Sequence, residues 1–474
     1  MKVDLLIHCR HMFTMQGTGV GYLENHSMAI DAGKIVALAP RADIEGAYTA
    51  EKVYDDPNMA VFPGFVDCHM HLRHAVIRGV SQDIVSWMWG GMAPFESQTT
   101  PEAKAAGGRL AIAEAVLSGT TTFGDDGPDI EGSIKNIIRF GVRGNVSPRI
   151  REVDFALYKP GELYNFYPEL GERSLNDCIR LYDKYNGYDN GRVRILFGPQ
   201  GSDFVSSQLM KRVCYIAKER GTRVHMHLSQ GKREDVQILK RYGLRPIPYL
   251  DSLENVLNEN LIGVHLTSAT DEEVKLVAER GVNMVLCPSS LSGIGGEVPP
   301  AKQFHDAGGT VGLGTDQSPG NNGHNMFNEM KLTSVLNKCK YNNPLLYPAH
   351  QVLRMATIEG ARAIGLGDVT GSLEVGKAAD VVLVNLREPT LSPVITYPMR
   401  NIVPNYVYAA RGHEVDTVIA AGKVIVEHRK PQTFQVDEIL DDVQRHAEIT
   451  AEKAVEGFFS VNSEIAGYMR NGQL

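Results

Sequence analysis

Long apolar runs are missing from the 474-residue sequence, in which no window comes near eighteen uninterrupted apolar residues. Because a membrane-spanning helix needs about 20 mostly apolar residues, we expect no such helix and no membrane partner. The N-terminal stretch MKVDLLIHCRHMF also lacks the long apolar core and the small-residue cleavage site of a signal peptide. We therefore expect a cytoplasmic protein.

Basic blocks are missing as well. The 48 Lys and Arg and the 56 Asp and Glu residues give a net charge of -8 and are spread along the chain. Because a nucleic-acid-binding surface needs clustered basic side chains, we expect no nucleic-acid partner. The 6 cysteines never occur as C-x-x-C, so we expect reduced, mostly buried thiols rather than a disulfide framework.

The two chain ends contain patterns typical of short strands. Residues 1–60 and 371–435 carry period-two or continuous apolar runs broken by Gly, Asp and Pro, with similar hairpins in AIDAGKIVAL and AAGKVIVE. We predict that these two ranges form one composite β-sandwich module. Residues 436–474 are predicted to be a helical extension, with a helix over 436–461 that packs on the outside.

Between the two ends, residues 61–370 show a different rhythm. Eight short β-branched runs, from VFPGFVDCH to TVGLGTD, alternate with amphipathic segments such as PEAKAAGGRLAIAEAVLSG and DEEVKLVAERG. Strands that alternate with helices indicate βαβ units and a parallel sheet. Eight such units predict an α/β fold, a (β/α)8 TIM barrel.

Histidines and one aspartate follow several of these predicted strands. His69 and His71 end the first strand, His225 and His227 the fifth, His265 the sixth and Asp316 the eighth. Barrel enzymes place their catalytic residues at the carboxyl ends of the strands, so these side chains are expected to converge. Imidazoles with one carboxylate suit Zn²⁺ or Fe²⁺ better than Mg²⁺ or Ca²⁺. The pattern predicts one divalent metal, Zn²⁺ first and Fe²⁺ second, that activates water for hydrolysis.

Several segments resemble the metal-dependent amidohydrolase superfamily: FPGFVDCHMH, HMHLSQ, GVHLT, GLGTDQS and LRMATIEGARAIGLGDVTGSLEVGKAADVVLVNL. They are most similar to its aminohydrolase and chlorohydrolase branch, which includes S-adenosylhomocysteine deaminase, guanine deaminase and the s-triazine hydrolases. The resemblance covers nearly the whole chain. It also implies a homodimer or a larger homo-oligomer.

The resemblance assigns roles by position. The metal ligands that it implies are His69, His71, His227 and Asp316. His265 matches a histidine that assists the attacking water, and Asp316 would also carry the proton from water to the leaving group. His225 matches a position that usually supports the ligands. Because no lysine ends the fourth strand, VRILFGPQG, we expect a mononuclear site.

Gln230 departs from the pattern of the deaminases, which usually carry Glu at this position to protonate a ring nitrogen of the substrate. An amide can form a hydrogen bond but cannot deliver a proton. Our first interpretation is therefore hydrolysis of a non-peptide C–N bond in a urea, carbamate, amide or cyclic amidine, for example in a phenylurea or triazine xenobiotic. One alternative is an aminohydrolase or chlorohydrolase of a triazine, purine or pterin. A catalytically silent barrel that serves as a binding module is an alternative of another class.

The expected substrate is a small, flat, mostly apolar or weakly polar molecule. We predict that Gln230 and Trp87 contact it. Aromatic side chains that could also line the pocket are Phe123, Tyr158 and Phe197. No basic cluster near the motifs suggests a phosphate or a dianion, although Arg73 and Arg149 could bind one carboxylate.

Overall fold

A computed structural model describes residues 1–154 and 161–474. The strands, in chain order, are β1 (Lys2–Phe13), β2 (Tyr22–Asp31), β3 (Lys34–Pro40), β4 (Thr49–Asp55), β5 (Met59–Pro63), β6 (Phe65–Met70), β7 (Thr120–Gly127), β8 (Arg143–Ile150), β9 (Val193–Ile195), β10 (Gly198–Pro199), β11 (Val224–Leu228), β12 (Leu261–His265), β13 (Asn283–Leu286), β14 (Val311–Leu313), β15 (Val381–Asn385), β16 (Val415–Ala420), β17 (Lys423–Glu427) and β18 (Lys430–Pro431).

Helices lie between most of these strands. They are α1 (Arg41–Ala47), α2 (Ala93–Glu96), α3 (Pro101–Leu117), α4 (Glu131–Phe140), α5 (Pro168–Tyr185), α6 (Tyr188–Gly191), α7 (Ser207–Glu219), α8 (Lys232–Tyr242), α9 (Pro246–Asp251), α10 (Asp271–Glu279), α11 (Pro288–Gly295), α12 (Ala301–Asp306), α13 (Ser318–Asn321), α14 (Met326–Lys340), α15 (Ala349–Met355), α16 (Ile358–Ala363), α17 (Ile402–Tyr408), α18 (Val436–Val461) and α19 (Glu464–Arg470). A 3₁₀ helix spans Leu72–Ile77 and a π-helix spans Trp87–Met92. Among the described residues, no helix is long and apolar enough to cross a membrane.

Both chain ends contribute to one continuous nine-stranded sheet, in the order β18-β17-β16-β15-β5-β1-β2-β3, with β4 added beside β1. Strand β5 joins the two ends because it pairs parallel with β1 and antiparallel with β15. We expected a sandwich of two sheets, whereas this sheet curls so that Tyr54 on β4 donates a hydrogen bond of 2.9 Å to Glu427 on β17. The boundary expected after residue 60 falls inside β5, and the three sequence ranges remain predictions.

The strands between the chain ends all run parallel, as the alternating pattern predicts. Strands β6 to β10 form one sheet and β11 to β14 a second. Isolated parallel bridges link the sheets at both seams. Two of them, Phe197–Val224 and Gly201–His227, lie at one seam, and Met70–Asp316 lies at the other. Every residue of β6, β11 and β12 is buried, as expected for parallel strands that are covered on both faces.

Two helices show why the amphipathic segments begin where they do. Thr100 caps α3 through Ala103 N, and Pro101 occupies its first turn. Thr270 and Glu273 form a reciprocal capping box at the start of α10. These local signals explain why the sequence predicts both helices correctly.

The C-terminal helix α18 covers the outer side of the first barrel helix. Arg109 on α3 forms an ion pair with Asp442 on α18. Val443 is buried in a cluster with Val76 and Ala106. The extension thus packs on the outside of the strand–helix layer, behind the loop that follows β6.

Candidate metal centre and active site

The side chains that end β6, β11, β12 and β14 converge at one point. The ligand atoms of His69, His71 and His227 lie within 4.8 Å of one another, and so do those of His69, His265 and Asp316. Asp316 Oδ1 lies 3.3 Å from His71 Nε2 and 3.6 Å from His69 Nε2. The structure therefore brings together five of the six residues that the sequence places at strand ends, all except His225.

Backbone carbonyls orient two of the imidazoles. His71 Nδ1 donates to the carbonyl of Asp126 at 2.6 Å, and His227 Nδ1 donates to the carbonyl of Gln200 at 2.7 Å. Because the proton is held on Nδ1 in each ring, the lone pair of Nε2 faces the centre. This tautomer is the one that a metal ligand needs.

His69 gives a further indication that the centre fits a cation. Its side chain is fully buried, and its Nε2 has no hydrogen-bond partner among the described residues. Burial lowers the pKa of His69 to about 4, so its imidazole is neutral at pH 7. A buried, neutral and unsatisfied nitrogen is costly unless something coordinates it. A divalent metal satisfies this atom, and the nitrogen-rich donor set suits Zn²⁺ or Fe²⁺.

Both carboxylate oxygens of Asp316 have polar neighbours. Oδ1 faces the histidines, whereas Oδ2 accepts a hydrogen bond of 2.6 Å from Ser290 Oγ. Burial alone would raise the pKa of Asp316, but the surrounding imidazoles of His69, His71 and His265 hold it well below its usual range. The side chain is therefore a carboxylate at neutral pH.

The backbone at this end of the strands is strained. Asp316 has φ 60° and His265 has φ 82°, in the left-handed region that non-glycine residues rarely adopt. Asp316 N donates to His69 O at 2.9 Å, and His71 N donates to Asp316 O at 3.2 Å. A Cβ atom on Gly314 would lie 2.7 Å from His69 O. Close packing of β14 against β6 thus holds Asp316 beside the histidines.

Gln230 lies beside His265, where the sequence predicts a contact with substrate. Its Nε2 is 3.5 Å from His265 Nε2, and its Oε1 accepts a hydrogen bond of 3.3 Å from Arg233 Nη2. Its backbone N–H donates to Glu234 Oε2 at 2.9 Å. Because Arg233 occupies the amide oxygen, the amide N–H groups are the part of Gln230 that faces His265.

His225 lies behind the centre rather than in it. Its Nε2 is 3.3 Å from His69 Nδ1, and its side chain is almost fully buried. Burial lowers the pKa of His225 to about 3. The residue supports His69 from the side away from Asp316.

A cavity of about 250 Å³ opens in front of these residues. Trp87 and Gln230 line it, together with Met88 and Trp89 from the same π-helix and with His71, His227 and Asp316. The two aromatic candidates on the strands do not line it, because Phe123 and Phe197 are both fully buried in the main hydrophobic core. Tyr158 lies outside the described residues.

The expectation that no basic cluster lies near the motifs is wrong. Among the described residues, five cationic side chains line the cavity, namely Arg73, Lys104, Arg149, Arg151 and Arg233. Several have acidic partners, since Arg73 pairs with Glu96 and Arg149 pairs with Asp126. Arg73, Lys104 and Arg233 lie on three different helices, whereas Arg149 and Arg151 lie at the end of β8. No local pattern in the sequence indicates that these four elements meet.

Sequence reasoning missed two residues that hold the site. Ser290 contacts Asp316, and Arg233 contacts Gln230. The signal for Ser290 was its position in CPSS, directly after a buried strand. For Arg233 the signal was closeness in sequence, since it lies three residues after Gln230, at the start of α8.

The chain is similar to known proteins over most of its length. Residues 60–425 match the amidohydrolase family. The 5-methylthioadenosine/S-adenosylhomocysteine deaminase of Pelotomaculum thermopropionicum is 29% identical over 446 residues, which cover 94% of this chain and 98% of that protein. The 5'-deoxyadenosine deaminase of Methanosphaera stadtmanae is 32% identical over 401 residues, with 84% and 90% covered.

Solved structures have the same fold. An adenosine deaminase from Xanthomonas campestris with bound zinc gives a TM-score of 0.87 at 29% identity, with 95% of this chain and 99% of that chain covered. An atrazine chlorohydrolase from Arthrobacter aurescens complexed with zinc gives 0.83 at 22% identity, with 94% and 100% covered. The chain belongs to the amidohydrolase family and is a hydrolase of carbon–nitrogen bonds other than peptide bonds.

Proposed function

We propose that this enzyme is a metal-dependent aminohydrolase of an aromatic N-heterocycle, with 6-aminopurine nucleosides as the first substrate class to test. The observation that carries the proposal is the cluster of His69, His71, His227 and Asp316 at the base of a Trp-lined cavity. The relatives named above are deaminases of adenosine-type nucleosides, which favours this function. Our first interpretation, a urea or carbamate hydrolase, has less support.

We further propose that His69, His71, His227 and Asp316 hold one Zn²⁺, with Fe²⁺ as the alternative. When bound, such a metal supplies an activated water at neutral pH. The two strand sheets, bridged at both seams, would then form one closed (β/α)8 barrel around the site. Metal analysis of the purified protein tests the identity of the ion. The predicted homo-oligomer is tested by light scattering.

Asp316 moves the proton in the proposed reaction. Its carboxylate accepts a proton from the attacking water while the water oxygen bonds to the ring carbon that carries the amino group, and the electron pair of the ring C=N bond moves to the adjacent ring nitrogen. Asp316 then passes that proton to the amino nitrogen; the electron pair returns to re-form the ring C=N bond, the exocyclic C–N bond breaks and ammonia leaves. The hydrogen bond from Ser290 keeps Oδ2 in one orientation during both transfers.

His265 and Gln230 stabilise the substrate without transferring a proton. Burial lowers the pKa of His265 to about 4, so its imidazole is neutral at pH 7 and can donate a hydrogen bond but carries no charge. Gln230 presents amide N–H groups beside it, which suit an acceptor nitrogen of the ring. Trp87 offers a flat apolar face to the heterocycle.

A product screen separates the candidates. The zinc-loaded protein is incubated with 6-aminopurine nucleosides, amino- and chloro-s-triazines, aminopterins and phenylureas, and the release of ammonia, chloride and aniline is measured. We expect ammonia from an aminoheterocycle. Aniline from phenylureas, without ammonia from any heterocycle, would contradict the proposal and support the second candidate, which Gln230 favours. If the metal-loaded protein turns over none of these compounds, the result would support a catalytically silent barrel.

An Asp316→Asn variant tests the mechanism. We expect turnover to fall at least about 100-fold, since general acid–base groups contribute roughly 10²–10⁴ in rate. Asp306→Asn is the matched control, because Asp306 is an exposed partner of Lys302. Full activity of Asp316→Asn would contradict the proposed proton transfer.

A further inference from the structure

A second cavity, of about 400 Å³, lies at the opposite end of the strands from the metal centre. Arg194 on β9 and Arg223, directly before β11, line it together with the turn at Gly365 that follows α16. The two sites lie at opposite ends of β11. Arg223 in the second cavity directly precedes the first residue of the strand, whereas His227 in the active site lies near its carboxyl end. The cavity is therefore distinct from the active site.

Two arginine side chains in this cavity are anchored to the same turn. Arg194 Nη1 donates to the carbonyl of Gly365 at 3.2 Å, and Arg223 Nη1 donates to the carbonyl of Ala363 at 3.2 Å. Since the two carbonyls are only two residues apart, the two positive charges are brought close together. Each of these bonds uses only one nitrogen of a group that carries five N–H donors.

The described lining of the cavity contains arginines but no acidic residues. Arg194, Arg220 and Arg223 are among its described lining residues, which include no Asp or Glu. Arg220 pairs with Asp183, outside the lining. Burial lowers the pKa of Arg194 and of Arg223. The charge of Arg194 lowers the pKa of Arg223 further, whereas Glu259, outside the lining, partly offsets this effect. An anion placed between the two groups would relieve this repulsion.

Capping of the two carbonyls does not account for the whole arrangement. That role needs one donor from each side chain, which a lysine could supply. Capping does not require two planar guanidinium groups. Nor does it require an open cavity of this size whose lining has no carboxylates. Paired arginines in a partly buried, acid-free cavity are the arrangement that recognises oxyanions through forked hydrogen bonds.

We propose that this cavity binds a small oxyanion, either free or as the phosphate or carboxylate group of a metabolite, between Arg194 and Arg223. The bound anion links the start of β9 to the start of β11 and to the turn after α16. Because it binds the folded chain, it raises the stability of the protein with a saturable dependence on anion concentration. This inference does not depend on the proposed activity.

The test is a titration of the zinc-loaded, full-length protein with sodium sulfate, inorganic phosphate or acetate, followed by calorimetry and by the thermal unfolding midpoint. Sodium chloride keeps the ionic strength constant. We expect saturable binding of sulfate and phosphate. Arg194→Met and Arg223→Met should each weaken it at least tenfold without changing basal turnover. Tighter binding of acetate than of sulfate would identify a carboxylate rather than a phosphate as the natural group.

Two further variants test whether a loss of binding is caused by misfolding. Arg194→Lys and Arg223→Lys retain the charge and one donor for the carbonyl but lose the fork, so they should fold and bind sulfate several-fold more weakly. Arg212→Met is the matched control, because Arg212 is an exposed partner of Glu172 on the neighbouring surface. Its affinity should equal that of the wild type.

Three outcomes would overturn the inference. The first is absence of saturable binding, which would leave a general salt effect only. The second is equal weakening by Arg212→Met. The third is that Arg149→Met loses anion binding while the Arg194 and Arg223 variants keep it. That result would locate the anion in the catalytic cavity, which Arg149 lines.

Discussion

Ser290 Oγ donates a hydrogen bond of 2.6 Å to Oδ2 of Asp316. Both side chains are buried, and Gln317 Nε2 lies 3.4 Å from the same hydroxyl. A buried carboxylate that uses Oδ1 toward the histidines thus has its second oxygen held by one small residue. Ser290 is therefore placed to determine the orientation of Asp316 without being a proposed metal ligand itself.

We expect Ser290→Ala to lower kcat about tenfold, because the freed Asp316 oxygen loses a hydrogen bond to a charged group worth roughly 1.5–3 kcal/mol. The metal content and KM should stay near the wild-type values, since the coordinating atoms are retained. Steady-state kinetics with metal analysis measures both. Ser292→Ala is the control, because the Ser292 hydroxyl contacts only the carbonyl of Glu297 at 3.4 Å. A change in KM alone would contradict a role in orienting Asp316.

Removal of the metal should abolish turnover and lower thermal stability. His69 Nε2 is buried without a partner, so the apoprotein keeps an unsatisfied nitrogen that the metal otherwise satisfies. Treatment with a chelator, followed by addition of Zn²⁺, Fe²⁺ or Co²⁺, measures the loss and the recovery. A chelated protein that keeps full activity would show that the histidine cluster serves another purpose.

A Gln230→Glu variant should gain little deaminase activity by itself. Arg233 lies 3.3 Å from the amide oxygen of Gln230, so it would hold a carboxyl at this position in the charged form, which has no proton to donate. The combination with Arg233→Met should remove that effect and increase ammonia release several-fold. Turnover of an aminopurine nucleoside from pH 5 to 8 compares the single and double variants. Equal gains in both would mean that Arg233 does not control this position.

Glu329 should make stability depend on pH. Burial raises its pKa to about 8, above the ordinary value of 4.5, even though Ser289 N–H donates to it. Folding therefore binds a proton, so the contribution to stability is complete below pH 4.5 and is lost as the pH rises toward 8. The loss can reach at most about 1.4 kcal/mol per pH unit.

Chemical denaturation of wild type and Glu329→Gln between pH 5 and 8 tests this. The variant should lose less stability than the wild type over that range. Glu452→Gln, an exposed substitution on α18, should follow the wild type. Parallel curves for wild type and Glu329→Gln would exclude Glu329 as the titrating group.

The sequence by itself determined the strand–helix alternation and the cluster of histidines and Asp316 at the strand ends. His69 and His71 are two residues apart on a strand, so strand geometry alone directs both side chains to one side. The carboxyl ends of parallel strands meet at one end, which brings His227, His265 and Asp316 to the same place without any knowledge of packing. Caps such as Thr270 and Glu273 are equally local.

Only the tertiary structure decided what surrounds that centre. Lys104, Arg151 and Arg233 come from three different loops and helices, and their meeting in one cavity depends on how those elements pack. Phe123 and Phe197 carry no local sign that they face the core. The contacts of Ser290 with Asp316 and of Arg233 with Gln230 likewise depend on loop conformation. Ligand placement follows from backbone periodicity, whereas cavity chemistry follows from long-range packing, which no short stretch of sequence encodes.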